Sequence, residues 1–158
     1  MQKEKEFYLD ELELKLQSAI SEEEKHFKRF FSACTKLKKS FPFDEESLED
    51  ETTVEHLDQM TWRFVKIQDS IGRRLIPYVI EYAYDTIDGL NFRDMLNKLE
   101  KLEILTLKEW NEFRILRNDI THIYPDDDKI LETLNEIYKR QNILYGIYNN
   151  LKNYVVDR

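Results

Sequence analysis

The sequence predicts an all-α fold: an antiparallel bundle of about five helices, forming one domain over residues 1–158. Three observations predict it. Gly and Pro number only three each, whereas β-sandwiches and barrels spend many of both on turns. Apolar residues recur at steps of three and four over long stretches, the spacing of one helix face. Two of those stretches follow helix-starting pairs, Thr52-x-x-Glu55 and Thr106-x-x-Glu109.

The first helix is expected over 3–39, with Leu9, Leu12, Leu16, Ala19, Ile20, Phe27, Phe30, Cys34 and Leu37 on its inner face and Glu23 interrupting the stripe. Phe41-Pro42-Phe43-Asp44 is a connection, because Pro42 disfavours helical geometry at Phe41. The second helix is expected to start near Thr52. Met60, Phe64, Ile67, Ile71 and Tyr78 face inward, Pro77 kinks or caps its last turns, and Gly89 ends the segment. Asn91 can cap a short third helix over 92–103, with Met95, Leu96 and Leu99 inward. The fourth helix opens at Thr106, carries Trp110, Phe113, Leu116, Ile120 and Ile123 inward, and ends before Pro125. Asp126 or Asp127 can cap the fifth, whose face of Ile130, Leu134, Ile137, Leu144, Tyr148, Leu151 and Val155 has Gln141 as its polar member.

Composition narrows the function classes. Hydrophobic residues make up 41% of the 158, enough for one core, while 35% are charged and the mean hydropathy is -0.66, so much of each helix faces water. The net charge of -8 opposes a dedicated double-helix binder but leaves room for a local basic groove. Cys34 is the single cysteine and falls on the apolar spacing, which makes it a core thiol and rules out an intramolecular disulfide. The charged start, Met1-Gln2-Lys3-Glu4-Lys5-Glu6, lacks the apolar stretch of a signal peptide. The longest apolar run, near Leu75–Ile80, is too short for a bilayer. A cytoplasmic protein with no membrane partner is the expectation.

His26, His56 and His122 are far apart and no metal-ligand spacing surrounds them, so no metal and no cofactor is expected. The run Asp126-Asp127-Asp128 reads first as a solvated helix start at the positive end of the dipole. The run Arg117-Asn118-Asp119-Ile120-Thr121-His122-Ile123-Tyr124 is different. It gathers a guanidinium, an amide, an imidazole and a phenol at one helix end. Asn118 and His122 share a face, whereas Arg117 and His122 diverge by ~140°. Two copies meeting at a two-fold axis could bring both groups to one cleft. The plainer readings are a snorkelling or ion-paired Arg and a His suited to the helix dipole.

At these residues the sequence resembles the HEPN superfamily, specifically the HepT-like proteins that pair with minimal nucleotidyltransferases. The mark is Arg117-Asn118-x3-His122-x-Tyr124. The preceding Trp62-Arg63-Phe64-Val65-Lys66-Ile67-Gln68-Asp69-Ser70-Ile71-Gly72, Leu96-Asn97-Lys98-Leu99-Glu100-Lys101-Leu102 and Glu109-Trp110-Asn111-Glu112-Phe113 are similar to segments of the same branch, so the likeness runs over roughly residues 5–155. The resemblance implies a four- to five-helix HEPN-like bundle and a homodimer. It implies metal-independent RNA cleavage with Arg117 and His122 as catalytic residues and Asn118 and Asp119 in support. It also implies a toxin neutralised by a minimal nucleotidyltransferase antitoxin, with Tyr124 as the tyrosine that adenylyl groups cap. Two other functions stay open: a non-catalytic substrate-binding or scaffold subunit of a nucleotidyltransferase complex, and a bundle whose motif only holds the dimer. Arg73, Arg74, Arg114 and Arg117 are candidates for a basic path.

Overall fold

The computed structural model describes residues 2–122 and 127–156, and every regular element among them is helical. Ile123, Tyr124, Pro125 and Asp126 lie outside the described residues, and with them the expected helix end at Pro125 and the Asp126 cap. Helix α1 is Gln2–Leu37. Its stripe is buried at Leu12, Leu16, Ala19, Phe27, Phe30, Cys34 and Leu37, with Ile20 half-buried, whereas Leu9 is exposed. Cys34 is buried as expected, and burial pushes its thiol up to about 12, which keeps it inert.

The chain then departs from expectation in a small way. Asp44 and Ser47 form a reciprocal capping box that opens an extra one-turn helix, α2 (Glu45–Glu49). The next helix, α3 (Glu51–Ser70), is capped by Asp50, not by Thr52. The Asp50 carboxylate accepts both the Thr53 N–H at 2.9 Å and the Thr53 hydroxyl at 2.6 Å, which a Thr52 cap could not match. Asn135 reaches across to the connection before α2. Its amide oxygen accepts the Phe43 N–H at 2.7 Å and its NH₂ donates to the Phe43 carbonyl at 3.0 Å. Phe41 stacks on Tyr138 at 4.4 Å between ring centroids, so the loop is latched by both backbone and side chain.

Pro77 acts earlier than the sequence implied. Residues Ile71–Leu75 form a π-helical turn, and Pro77 lies at the start of the following helix, α4 (Ile76–Tyr84). Proline offers no N–H to the preceding turn. The wider turn absorbs this, with the Ile76 N–H bonding back to the Ile71 carbonyl. The segment ends at Tyr84 on a left-handed Asp85 (φ 66°), before Gly89, which takes φ 75° in the loop that follows. Helix α5 (Phe92–Lys101) starts at the Asn91 cap as expected, and Met95, Leu96 and Leu99 are buried. Helix α6 (Leu107–Thr121) starts at the Thr106 cap; here the Thr106 hydroxyl also donates to the Glu109 carboxylate at 3.0 Å. The expected fifth helix is two, α7 (Asp127–Lys139) and α8 (Gln141–Val156), broken at Arg140. Gln141 sits at the break and donates to the Tyr138 carbonyl at 2.8 Å, satisfying a group the interrupted ladder leaves open.

α1 and α3–α4 run antiparallel: His26 meets Arg63, Glu22 meets Arg74 and Tyr8 meets Glu81. α1 and α8 do likewise, with Lys152 on Glu24 at 3.1 Å and Phe31 against Tyr145 at 5.5 Å. The buried residues form one cluster fed by α1, α3, α4, α5, α6, α7 and α8. No helix among the described residues is long and apolar enough to cross a membrane.

Glu23 breaks the sequence pattern without breaking the burial. It is fully buried, and neither carboxyl oxygen has a hydrogen-bond partner. Burial pushes it up to about 8, while the adjacent Ser70 hydroxyl pulls the other way without closing a bond. The folded-state value lies above the ordinary 4.5, so the stability this group contributes is complete at low pH and is lost as pH rises from 4.5 through about 8. Glu23→Gln should abolish that loss. Melting curves between about pH 5 and pH 9 should show wild type falling below the variant by several degrees at the alkaline end. Parallel curves for the two proteins would refute the assignment.

Candidate functional site

The buried positions of α6 decide what its other face offers. Trp110, Phe113 and Leu116 are driven into the core, with Phe113 against Phe64 at 6.3 Å and Trp110 against Phe92 at 6.1 Å. Helical geometry then places Arg114, Arg117 and Asn118 at the rim facing α3. There they line an open groove of about 410 Å³. Gln68, Asp69, Gly72 and Arg73, from the end of α3 and the π turn, form its other wall, with Phe92 at one end. Gly72 permits this approach. A Cβ at that position would stand 3.2 Å from the Trp110 ring, closer than a ring held on all sides readily accepts.

Arg117 is held from below. Its Nε donates to one Asp69 oxygen at 3.0 Å and its Nη2 to the other at 3.1 Å, a bidentate fork of two partly buried groups. The hydrogen bonds that Arg117 donates to Asp69 push its guanidinium still further up, so it is cationic at every relevant pH. The fork occupies Nε and Nη2 and keeps Nη1 for another acceptor. With Arg73 and Arg114 on the same walls, the groove carries three guanidiniums against one carboxylate. Arg74 does not belong to this set: it pairs with Glu22 on α1.

His122 caps the C-terminus of α6 in extended geometry and is exposed. Its Nδ1 is tied to the Asn118 carbonyl, and an Nδ1–H donated there puts the basic lone pair on Nε2. The Thr121 hydroxyl donates to the carbonyls of Arg117 and Asn118 at 3.1 and 3.0 Å, satisfying the last turn as a cap would. The groove residues include Arg117 and Asn118 but not His122, although Asn118 and His122 stand four apart, because His122 has left helical geometry. Asp119 turns toward Lys129 of α7 at 3.7 Å, not into the groove. Tyr124 lies outside the described residues.

Sequence reasoning gave Asp69 no role of its own, although it stands in the segment that carries the family resemblance. A carboxylate forty-eight residues upstream has no spacing relation to Arg117, so only the packing of α6 on α3 reveals the pair. Gly72 and the π turn were missed for the same reason, with Pro77 as the one local signal.

No family model matches the chain, and no solved structure matches it. The chain is similar in part to a curated protein of Cestrum yellow leaf curling virus named "Putative movement protein", at 36% identity over 63 residues. That stretch is 39% of this chain and 20% of the viral protein, so the chain spans about a fifth of the length of that relative.

The Asp69–Arg117 fork predicts measurable coupling. In a double-mutant cycle of Asp69→Asn and Arg117→Ala, the pair should show a coupling free energy on the order of 1 kcal/mol by denaturant unfolding, weakening as salt rises. Strictly additive single and double variants would show that the fork contributes nothing to stability.

Proposed function

We propose that this chain is a HEPN-type, metal-independent endoribonuclease, a HepT-like toxin restrained by a minimal nucleotidyltransferase. The observation that carries the reading is Arg117 oriented by Asp69 in a groove with Arg73, Arg114 and Asn118, on the same helix end that presents His122 with its Nδ1 on the Asn118 carbonyl. The family resemblance of the segment supports it. In this mechanism the ribose 2′-hydroxyl gives its proton to Nε2 of His122 and its oxygen attacks the adjacent phosphorus. The bond from phosphorus to the 5′-oxygen breaks, and that oxygen takes up a proton. The products are a 2′,3′-cyclic phosphate end and a 5′-hydroxyl end. Negative charge building on the phosphate oxygens meets Nη1 of Arg117 and the neighbouring guanidiniums. Asn118 orients the substrate from the rim.

The reading includes a homodimer, because a second copy could set its His122 beside the first copy's groove. Tyr124 is the proposed regulatory site. Its phenol oxygen would attack the α-phosphorus of ATP on the nucleotidyltransferase, pyrophosphate would leave, and the adenylyl group would add negative charge and bulk two residues from His122. A non-catalytic scaffold subunit is the second reading, favoured by the separation of His122 from the groove within one copy.

Purified protein should cleave single-stranded RNA in the presence of chelator and leave cyclic phosphate ends. His122→Ala should reduce the rate by ~10²–10⁴-fold, and Arg117→Ala by about 10²–10³-fold, both with unchanged helical content. Equal activity in all three proteins, or no cleavage by wild type, would favour the scaffold subunit. Separately, incubation with the cognate nucleotidyltransferase and ATP should add mass in AMP units to wild type and none to Tyr124→Phe. Modification that persists in Tyr124→Phe would remove this residue from the regulation.

A further inference from the structure

An acidic chain of net charge -8 nonetheless gathers cations on one face. Lys25, Lys28, Arg29 and Lys36 are exposed along one side of α1, at helical steps, and line a shallow groove with Ser32 and Gln59. None of the four makes an ion pair among the described residues. Beside them on α3 stands Trp62, 53% exposed, although an indole is usually drawn into a core or an interface. Arg63 and Lys66 lie over its ring at 4.6 and 5.1 Å from the centroid. Arg63 also bonds His26 at 2.9 Å, so the two helices present their cations together.

We infer that this face of α1 and α3 is a docking strip for single-stranded RNA, with the indole of Trp62 as its base-stacking platform. The inference deepens the ribonuclease reading and rests on it for the choice of RNA over other anions. Phosphates require unpaired cations spaced along a surface, and bases require an exposed aromatic face; the strip supplies both halves of a nucleotide side by side. A lipid surface or an acidic protein would also use cations beside an indole, so the choice of RNA rests on the ribonuclease reading, and the vesicle and heparin arms of the test separate the occupants. The strip also leads somewhere. Trp62, Lys66, Asp69 and Arg73 follow one another on successive turns of α3 and its π turn. Asp69 lies about 10 Å along the axis from Trp62 at 1.5 Å per residue. Asp69 and Arg73 are walls of the Arg117 groove. In the other direction, Asp58 and Glu55 on α3 set an acidic limit to the track. When a base stacks on Trp62, exposed Lys66 is displaced from the ring and is in place to meet the adjoining phosphate.

The test uses the full chain with His122→Ala, so that binding is read without cleavage. The probe is a fluorescein-labelled single-stranded RNA of about twelve nucleotides, followed by anisotropy from about 50 to 300 mM KCl. Trp62→Ala should raise Kd about tenfold, and Trp62→Phe should recover part of the loss. Lys28→Glu with Arg29→Glu should raise Kd about tenfold or more and flatten the salt dependence by roughly two released ions. RNA should quench indole emission in the parent and leave Trp62→Phe, whose remaining Trp110 is buried, nearly unchanged. Circular dichroism checks that each variant is folded. Unchanged Kd in these variants would overturn the strip. So would binding to heparin or phosphatidylserine vesicles as tight as to RNA and indifferent to Trp62. RNA binding that follows Trp62, with no cleavage by wild type, would remove the ribonuclease reading and keep the strip. Cleavage by wild type, with binding indifferent to Trp62, would do the reverse.

Discussion

The contact of Trp110 with Gly72 sets the distance on which the groove depends. A fully buried indole fixes α6 from the inside, and a residue without Cβ lets that indole come against the turn at the end of α3. A Cβ there would stand 3.2 Å from the ring, so the indole would have to give by a few tenths of an ångström, on the same helix that brings both Arg117 nitrogens to Asp69 near 3 Å. The π turn serves the same geometry. It accommodates Pro77 one turn downstream and presents Gly72 and Arg73 to α6, where an unbroken α-helix would rotate the residues that follow by a fraction of a turn. Such insertions recur at functional sites, and here the insertion lies on the groove wall.

The parts of this fold legible in the sequence are those that local chemistry determines. The long apolar spacing of α1, the Asn91 cap of α5, the Thr106 cap of α6 and the buried Trp110, Phe113 and Leu116 all follow from periodicity and one-turn capping. What escaped is where two local signals compete or where the partner is distant. Thr52-x-x-Glu55 and Asp50-x-x-Thr53 are both plausible starts, and the carboxylate wins because it accepts two hydrogen bonds from the same residue. The stripe through Ile130 to Val155 conceals a break at Arg140, because a helix pair bent about one residue keeps its apolar phase. Arg117 and Asn118 were visible as candidates. Their neighbours Asp69, Gly72 and Arg73 became a site only through packing.

Glu23 belongs to the same neighbourhood as the π turn. It faces Ser70, the residue that precedes the turn, and Ser70 itself has a buried hydroxyl without a partner. As an uncharged acid Glu23 is tolerated among Phe27, Phe30 and the α3 residues. As an anion it would be a buried charge with only Arg74 to offset it, and Arg74 is already engaged by Glu22.

Asp69 raises a question of charge that the ribonuclease reading has to answer. Its carboxylate holds Arg117 in place and at the same time cancels much of the field that Arg117 alone would present to a phosphate. An oriented but partly neutralised guanidinium binds the ground-state anion weakly and responds most when extra charge develops at its remaining N–H groups, which is the condition for accelerating a reaction instead of merely holding a substrate. Affinity must then come from elsewhere. On that reading Arg73 and Arg114 would supply some of it in the groove, and neither forms an ion pair among the described residues. The strip on α1 and α3 would supply the remainder at a distance, where unpaired cations attract a strand without crowding the reacting phosphate. On this division, binding and chemistry occupy neighbouring but separate surfaces of α3. An acidic protein could in that way hold RNA locally while its overall charge discourages indiscriminate adsorption.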